Sequence, residues 1–249
     1  MAEAGHSFLA RLGKKRLRPG GIRATSWLRS QGNFSTGSTV LEVACNMGTT
    51  AVELAQAYGC SIIGIDRDIT ALEKARRNIQ MAHVDNLVTV MEGDALALPF
   101  EDGTFDIVIN EAMLTMLRPV DKVKAVQEYW RDLKKGGILL THDVRLSYEG
   151  LETVVQELSR AINVHATPLT AQAWEALFSQ AGFTSVTSLT GPMSLMSPRG
   201  LIKDEGFLGA LHIVRNGLKK QNRPQFKRMF SFFRRERRNL GFIAVASRK

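Results

Sequence analysis

The sequence lacks several features that point to particular classes of protein. It has two cysteines among 249 residues, Cys45 and Cys60, which are too few and wrongly spaced for a disulfide framework or a metal site. It has no run of about eighteen consecutive apolar residues, the length that a transmembrane helix needs. Its first thirty residues lack the apolar segment of a signal peptide. These absences predict a cytoplasmic, soluble protein with buried thiols and no bound metal.

Charge is distributed unevenly along the chain. Residues 1–30 carry seven basic and one acidic side chain, and residues 192–249 carry fourteen basic and three acidic. The residues between them, 31–191, carry twelve basic and twenty acidic. Two basic flanks are compatible with an anionic partner such as a membrane surface or a nucleic acid. A charge run is, however, more usually a solvated face that binds nothing.

Short apolar runs alternate with helical patterns from Thr39 onward, which is typical of strand–helix–strand units around a parallel sheet. The predicted strands span residues 40–43, 61–65, 87–91, 105–109, 138–141, 184–189 and 241–246. The predicted helices span residues 49–58, 69–81, 120–133 and 170–181. Residues 192–239 interrupt this pattern before the last strand, which can return beside the sixth strand as a hairpin partner.

The first predicted strand runs into a turn of small residues, 44–48, that is followed by a helix. Such a turn lets the backbone approach a ligand closely, and the helix N-terminus supplies free amide donors. In a dinucleotide-binding turn, glycines would stand where Ala44 and Asn46 stand here, and only Gly48 remains. The turn therefore predicts a ligand site with an altered glycine pattern.

Acidic residues end the next two predicted strands. Asp66, at the end of the second strand, can accept hydrogen bonds from both hydroxyls of a ribose. Asp94, after the third strand, can accept from the amine of an adenine, and the Ala95 amide can donate to the ring. This pattern favours an adenosine without phosphates over a nicotinamide dinucleotide.

Five segments in order resemble a class I S-adenosylmethionine-dependent methyltransferase of the group that includes the ubiquinone and menaquinone biosynthesis enzymes. They are residues 41–48, 64–66, 93–100, 105–110 and 133–139, within a similarity that covers about residues 40–146. The resemblance implies an α/β fold with a Rossmann-like, seven-stranded, mostly parallel sheet whose last strand is antiparallel. It also implies S-adenosyl-L-methionine as cofactor and methyl transfer as the reaction.

With this resemblance, we expect one methyltransferase domain that is divided into four segments. They are an N-terminal leader (1–38), a cofactor-binding core (39–191), a basic helical insertion (192–239) and the last strand (240–249). Within the leader, residues 17–21 resemble a segment that folds over the cofactor in some of these enzymes, although their glycine pair can equally be a plain turn.

The resemblance implies individual roles at the cofactor site. Glu42 orients the turn and can reach the methionine amino group, Ala44 and Gly48 line the methionine and sugar, and Asp66 binds the ribose. Asn46 either disturbs the turn or bonds the methionine carboxylate. The complete expected cofactor-binding set is Gly20, Gly21, Glu42, Ala44, Asn46, Gly48, Asp66, Arg67, Asp94, Ala95, Asn110, Glu111 and Ala112.

No motif identifies a catalytic residue. Methyl transfer from a sulfonium needs no proton on the leaving group, so alignment and exclusion of water can supply most of the effect. His142 and Asp143, at the end of the fifth strand, are candidates for a general base. Their alternative roles are structural, with Asp143 capping the next segment and His142 packing against the sheet.

Apolar residues favour a small-molecule or lipid-like methyl acceptor. Two groups of them can line a pocket. The first, after the fourth strand, is Met113, Leu114, Met116 and Leu117, and the second, in the insertion, is Met193, Leu195 and Met196. An RNA or protein methyltransferase that uses the basic flanks is one alternative. Adenine-amine methylation is disfavoured because Asn110 is not followed by Pro-Pro-Tyr. A non-catalytic S-adenosylmethionine-binding module, suggested by the altered turn, is the other alternative.

The insertion carries two basic amphipathic stretches, one with Phe207, Leu211, Val214 and Leu218 on one face and one with Phe226, Met229, Phe230 and Phe233. We expect both apolar faces to form a helical cap over the acceptor site. The alternative is that they lie on an anionic membrane surface, since Lys and Arg side chains accompany them as in interfacial helices.

Overall fold

The computed structural model describes residues 3–249 and shows a sheet with helices on both faces. The strands are β1 Thr39–Val43, β2 Ser61–Asp66, β3 Val88–Glu92, β4 Phe105–Glu111, β5 Leu133–Leu146, β6 Leu169–Thr170, β7 Ser185–Pro192 and β8 Leu240–Arg248. The helices are α1 Gly5–Arg11, α2 Gly21–Gln31, α3 Thr49–Tyr58, α4 Ile69–Met81, α5 Pro119–Asp132, α6 Glu152–Ile162, α7 Ala171–Gln180, α8 Pro198–Gly217 and α9 Arg223–Arg235.

The main path of the sheet has the strand order β3-β2-β1-β4-β5-β8-β7, and the short β6 pairs with β5. Strands β1 to β5 are parallel, and β8 is antiparallel to both of its neighbours. The predicted Rossmann-like sheet with an antiparallel last strand is therefore confirmed, with β6 as an additional strand of two residues. The order reverses between β1 and β4, and sheets of this type bind ligands at the carboxyl ends of the strands beside such a reversal.

Successive residues of the central strands pack against helices on opposite faces of the sheet. In β1, Val40 belongs to the core formed with α2, α3 and α4, whereas Leu41 belongs to the core formed with α5 and α7. Strands covered on both faces are almost continuously apolar. This double burial explains why the strands were visible in the sequence as short apolar runs.

The insertion packs mainly on the leader and not on the sheet. Phe8 and Leu12 from the α1 segment share one buried cluster with Ile213 of α8 and with Phe226 and Met229 of α9. A second cluster joins α9 to α6. The two segments that flank the core in sequence thus form one helical layer beside the carboxyl edge of the sheet.

Three helices and most of β5 were missed by the sequence prediction. Helices α1 and α2 lie in the leader, for which no helix was predicted, and α6 follows β5. Strand β5 is longer than the predicted 138–141 because β8 pairs with it from Ile138 to Leu146. Among residues 3–249, no helix combines the length and the apolar character that a membrane span requires.

Candidate functional site

A cavity of about 260 Å³ lies at the carboxyl ends of β1, β2 and β4, beside the reversal of strand order. We call it the cofactor cavity. Six of the predicted binding residues lie in its wall, and they are Glu42, Ala44, Asn46, Asp66, Glu111 and Ala112. The leader closes the opposite side with His6, Lys15, Leu17 and Arg18. The structure therefore brings the strand ends and the leader together around one space.

The turn after β1 has the backbone shape of a glycine-rich loop, although Gly48 is its one glycine. Ala44 and Asn46 have φ of 58° and 49°, in the left-handed region that costs a non-glycine residue roughly 1–2 kcal/mol. Hydrogen bonds hold this shape, because the Asn46 amide donates to Asp66 Oδ2 at 2.8 Å and the Met47 amide donates to Asn46 Oδ1 at 2.9 Å. The side-chain oxygen of Asn46 is thus engaged by its own turn.

Asp66 connects the turn to the start of α4. Its Oδ2 accepts from Asn46, and its Oδ1 accepts from the Asp68 amide at 2.9 Å. Each carboxylate oxygen can accept a second hydrogen bond, so both remain able to bind a ligand hydroxyl. Asp68 itself caps α4 by accepting from the amides of Thr70 and Ala71.

Two buried glutamates in the cavity have different surroundings. Arg18 forms an ion pair with Glu111 (Nε to Oε2, 2.5 Å), and this cation lowers the pKa of Glu111 to about 2 in spite of its burial. Glu42 accepts from the Ala51 amide at 2.9 Å, and burial, followed by the charge of Glu111, raises its pKa to about 8. At neutral pH Glu111 is therefore ionised, and Glu42 is mostly protonated.

The two candidate bases face different partners. The buried His142 accepts a hydrogen bond at Nε2 from the Gly20 amide at 2.9 Å, and its Nδ1 lies 3.6 Å from Glu111 Oε1. That arrangement places the ring proton on Nδ1 and orients His142 toward the leader. The oxygens of Asp143 accept from the amides of Thr115 and Val144, and burial raises the pKa of this carboxyl group.

Seven predicted cofactor-binding residues lie outside the cavity wall, and they are Gly20, Gly21, Gly48, Arg67, Asp94, Ala95 and Asn110. Gly20 lies against Phe242, and a Cβ at Gly21 would meet the Asp204 carboxylate at 2.3 Å, so close packing requires both glycines. Asp94 accepts from the Leu96 amide at 3.0 Å. Asn110 is fully buried, and its side-chain amide has no hydrogen-bond partner in the described chain.

Sequence reasoning missed His6, which the structure places in the wall of the cofactor cavity. Burial lowers the pKa of His6, and the nearby Asp66 and Asp68 act in the opposite direction. The only sequence signal was its position in the leader. Without a prediction of α1, nothing connected this histidine to strand ends that lie more than 30 residues further along the chain.

A second cavity, of about 70 Å³, adjoins the first. We call it the apolar cavity. The two share four wall residues, His6, Leu17, Ala112 and Met116. Most of the other wall residues are aliphatic, sulfur-containing or aromatic, and Asp143 and Thr115 supply polar groups.

The predicted pocket residues divide among several places. Met116, Met193 and Leu195 line the apolar cavity, as the sequence predicted. Met113 lines only the cofactor cavity. Leu114 and Leu117 belong instead to the core under the sheet, and Met196 is buried in the helical layer.

The two apolar faces of the insertion differ in burial, because the α9 face lines a cavity and the α8 face is exposed. Met229 and Phe233 of α9 line the apolar cavity, so this face does cover the predicted acceptor side. The expectation was wrong for the α8 face, where Phe207 and Leu211 are 69% and 56% exposed. Gly206, with φ of 74°, interrupts α8 and separates this exposed face from the first part of the helix.

One relative is similar to nearly the whole chain, and a family model and a named methyltransferase are similar to its core. Residues 40–137 match a family model described as a methyltransferase domain. An uncharacterized protein of Haemophilus influenzae is 53% identical over 247 residues, which cover 99% of this chain and 98% of that protein. A demethylmenaquinone methyltransferase of Symbiobacterium thermophilum is 36% identical over 111 residues, 43% of each chain.

The fold has close counterparts among solved structures. A putative sarcosine dimethylglycine methyltransferase of Galdieria sulphuraria superimposes with a TM-score of 0.75 at 21% identity, over 92% of this chain and 86% of that one. All the strand-end residues that line the cofactor cavity lie within the matched residues 40–137. The chain therefore belongs to the class I S-adenosylmethionine-dependent methyltransferases, and S-adenosylmethionine is its cofactor.

Proposed function

We propose that this methyltransferase transfers the methyl group to a small-molecule or lipid-like acceptor that enters the apolar cavity. One observation carries this proposal. The apolar cavity and the cofactor cavity share the wall formed by His6, Leu17, Ala112 and Met116. A ligand on the apolar side therefore meets the cofactor at the end of β4.

The residues in the cofactor cavity suit S-adenosylmethionine. Glu42 is a buried carboxyl group whose neighbouring cation, Arg18, is engaged by Glu111. The methionine ammonium would supply the missing positive charge. In this proposal Asp66 binds the ribose hydroxyls, and Asp94 with the Ala95 amide binds the adenine.

The chain contributes orientation and exclusion of water more than proton chemistry. When bound, the cofactor supplies an electrophilic methyl group. The leader and α9 cover the acceptor side and hold the acceptor in line with that methyl, an effect that can be worth roughly 7–11 kcal/mol. For an acceptor that must lose a proton, Asp143 is the candidate base, because its pKa is raised and it lines the apolar cavity.

We propose that residues 1–249 act as one methyltransferase domain, with residues 192–239 as a cap on the acceptor side. Met193, Leu195, Met229 and Phe233, all within these residues, contribute side chains to the apolar cavity. An RNA or protein acceptor is disfavoured, since a cavity of about 70 Å³ under a helical layer is suited to a small group. A non-catalytic module would bind the cofactor but release no methylated product.

The acceptor cavity can be tested with Phe233→Ser. We expect about a tenfold to hundredfold loss in kcat/KM, because burial of a phenylalanine side chain is worth about 1.5–3 kcal/mol. The measurement is transfer of labelled methyl from S-adenosylmethionine to the organic-solvent fraction of a cell extract. Phe207→Ser is the matched control on the exposed α8 face and should change transfer less than about twofold when the extract is solubilised with detergent and holds no membrane surface. Equal losses in both variants, or label found only in RNA or protein, would contradict the proposal.

We further propose that the exposed α8 face contacts an anionic membrane surface. Phe207, Leu208 and Leu211 are 69%, 79% and 56% exposed and lie on one side of the helix. Leu218 continues this face and borders a basic cluster formed by Lys220, Arg223 and Lys227. Apolar side chains flanked by basic ones are typical of helices that lie on anionic lipid.

Vesicle sedimentation tests the membrane contact. Charge reversal of Lys220, Arg223 and Lys227 to Glu should reduce binding to phosphatidylglycerol vesicles at least about a hundredfold, since each basic residue near such a surface is worth about 1 kcal/mol and each new Glu is repelled. The control carries the same charge change on α4, in Lys74→Glu, Arg76→Glu and Arg77→Glu, and should bind like the wild type. If the wild type ignores the vesicles at low salt, the membrane proposal is wrong.

A further inference from the structure

A third cavity continues from the apolar cavity toward solvent. It measures about 230 Å³ and lies between the start of the insertion and the end of α9. We call it the arginine groove, because Arg234 and Arg237 stand beside its otherwise mainly apolar wall. Met193 and Phe233 belong to the walls of both the apolar cavity and the groove. The three cavities therefore follow one another from the cofactor to the surface.

The size of the apolar cavity indicates that the acceptor extends beyond it. A space of about 70 Å³ is far smaller than the roughly 300–1,000 Å³ of ordinary small-molecule pockets. The arginine groove supplies the missing volume in the direction that leads away from the cofactor. An acceptor whose methylated end lies at Ala112 would thus place its other end in the groove.

The arginines of the groove differ from their neighbours in their partners. Arg235 pairs with Glu157 and Glu236, so its charge is neutralised within the protein. For Arg234 and Arg237, no carboxylate lies within ion-pairing distance in residues 3–249. Guanidinium groups bind carboxylate and phosphate oxygens in bidentate geometry, so two of them beside an apolar slot favour a ligand with an anionic end.

We infer that the acceptor is an amphiphilic anion, with an apolar body in the apolar cavity and a phosphate or carboxylate group at Arg234 and Arg237. This inference rests on the proposed function, because it takes the apolar cavity to be the acceptor site. It adds the charge of the acceptor and the direction in which the acceptor lies. Phe233, between the two spaces, contacts the body of the acceptor near its anionic end.

Binding of simple amphiphiles tests the inference without knowledge of the natural acceptor. The probe is decyl phosphate below its critical micelle concentration, titrated calorimetrically into the protein with S-adenosylhomocysteine present. Decanol, decyltrimethylammonium and inorganic phosphate are the comparison ligands. We expect decyl phosphate to bind at least about tenfold more tightly than decanol, and inorganic phosphate and the cationic amphiphile to bind more weakly still.

The variant Arg234→Gln/Arg237→Gln should lose the preference for decyl phosphate and keep the affinity for decanol. Arg238→Gln is the matched control, since Arg238 is exposed nearby and does not line the groove. If the two arginines only stabilise the C-terminal end of α9, the double variant will have a lower Tm and an unchanged ligand preference. That result would overturn the inference. An equal affinity of the wild type for decyl phosphate and decanol also overturns it.

Two further outcomes separate the sources of the anion and the two proposals. If monomeric decyl phosphate fails to bind while phosphatidylglycerol vesicles bind through Arg234 and Arg237, these residues contact lipid headgroups and the acceptor assignment is wrong. A wild-type protein that shows no preference for decyl phosphate and yet methylates neutral small molecules would refute this inference alone. Retained charge preference, with no transfer to any small molecule, would refute the proposed function alone.

Discussion

Cofactor binding should strengthen about tenfold for each unit of pH between about 5.5 and 7.5, and Glu42→Gln should abolish this dependence. In the free protein the pKa of Glu42 is raised to about 8, so the carboxyl group is protonated over this range. In the proposed site, the ammonium of S-adenosylmethionine would favour the ionised form of Glu42, so binding would release a proton. Because releasing a proton costs less free energy at higher pH, the dissociation constant falls as pH rises toward 8. Calorimetry in buffers of different ionisation enthalpy measures the proton release directly.

A ligand without the amino acid provides the control for this prediction. Methylthioadenosine has the adenosine and lacks the ammonium, so its affinity should be nearly independent of pH over the same range. The range ends at 7.5 because an α-amino group itself loses its proton near pH 7.7–8.0. Equal pH dependence for both ligands would show that Glu42 does not contact the ammonium.

The sequence was sufficient to predict the core because each level of structure there is encoded locally. Helices α3 and α4 span residues 49–58 and 69–81, as predicted, and in the structure Gly48 and Gly59 flank α3 and Asp68 caps the start of α4. Glu42, Asp66 and Glu111 end neighbouring parallel strands. Their meeting at one edge follows from the sheet order, which the family resemblance supplied.

The leader and insertion could not be predicted in the same way, because their structure depends on contacts between distant segments. Lys14 and Asp204 form a buried ion pair at 3.2 Å across 190 residues. Asp204 Oδ1 also accepts from the Ile22 amide at the start of α2. No periodicity in either segment reveals such a partner. For the same reason, the sequence did not reveal which of the α8 and α9 faces is buried.

The contact between Gly20 and His142 illustrates the same limit at the site. Sequence position alone placed His142 at the ligand edge of the sheet and left its role open. The structure gives it a hydrogen bond from the leader and an orientation toward Glu111, so it is better described as holding the leader than as facing the acceptor. Asp143, the adjacent residue on β5, lines the apolar cavity instead.

Arg18 is the residue whose loss should destabilise the protein most through the site. Its guanidinium is buried, pairs with Glu111 and also donates to Thr25 at 2.8 Å and Thr50 at 2.5 Å. Arg18→Met would leave two buried carboxyl groups, Glu42 and Glu111, with no cation between them. Breaking one side of a buried ion pair costs about 3–5 kcal/mol, and we expect a loss of that size in the free energy of unfolding by urea at pH 7.

The second variant and the pH dependence show whether the unpaired charge causes this loss. Arg18→Met/Glu111→Gln removes the buried carboxylate and should recover a large part of the lost stability, since replacing both partners of a pair costs far less than removing one. Arg18 also lowers the pKa of Glu111, so its removal should raise that pKa above the unfolded value. A group with a raised pKa favours the folded state at low pH and loses this effect as pH rises. The loss in free energy of unfolding of Arg18→Met relative to the wild type should therefore become smaller between pH 7 and pH 5. A loss that stays constant over this range and persists in the double variant would indicate that Arg18 stabilises the protein by packing and not by charge.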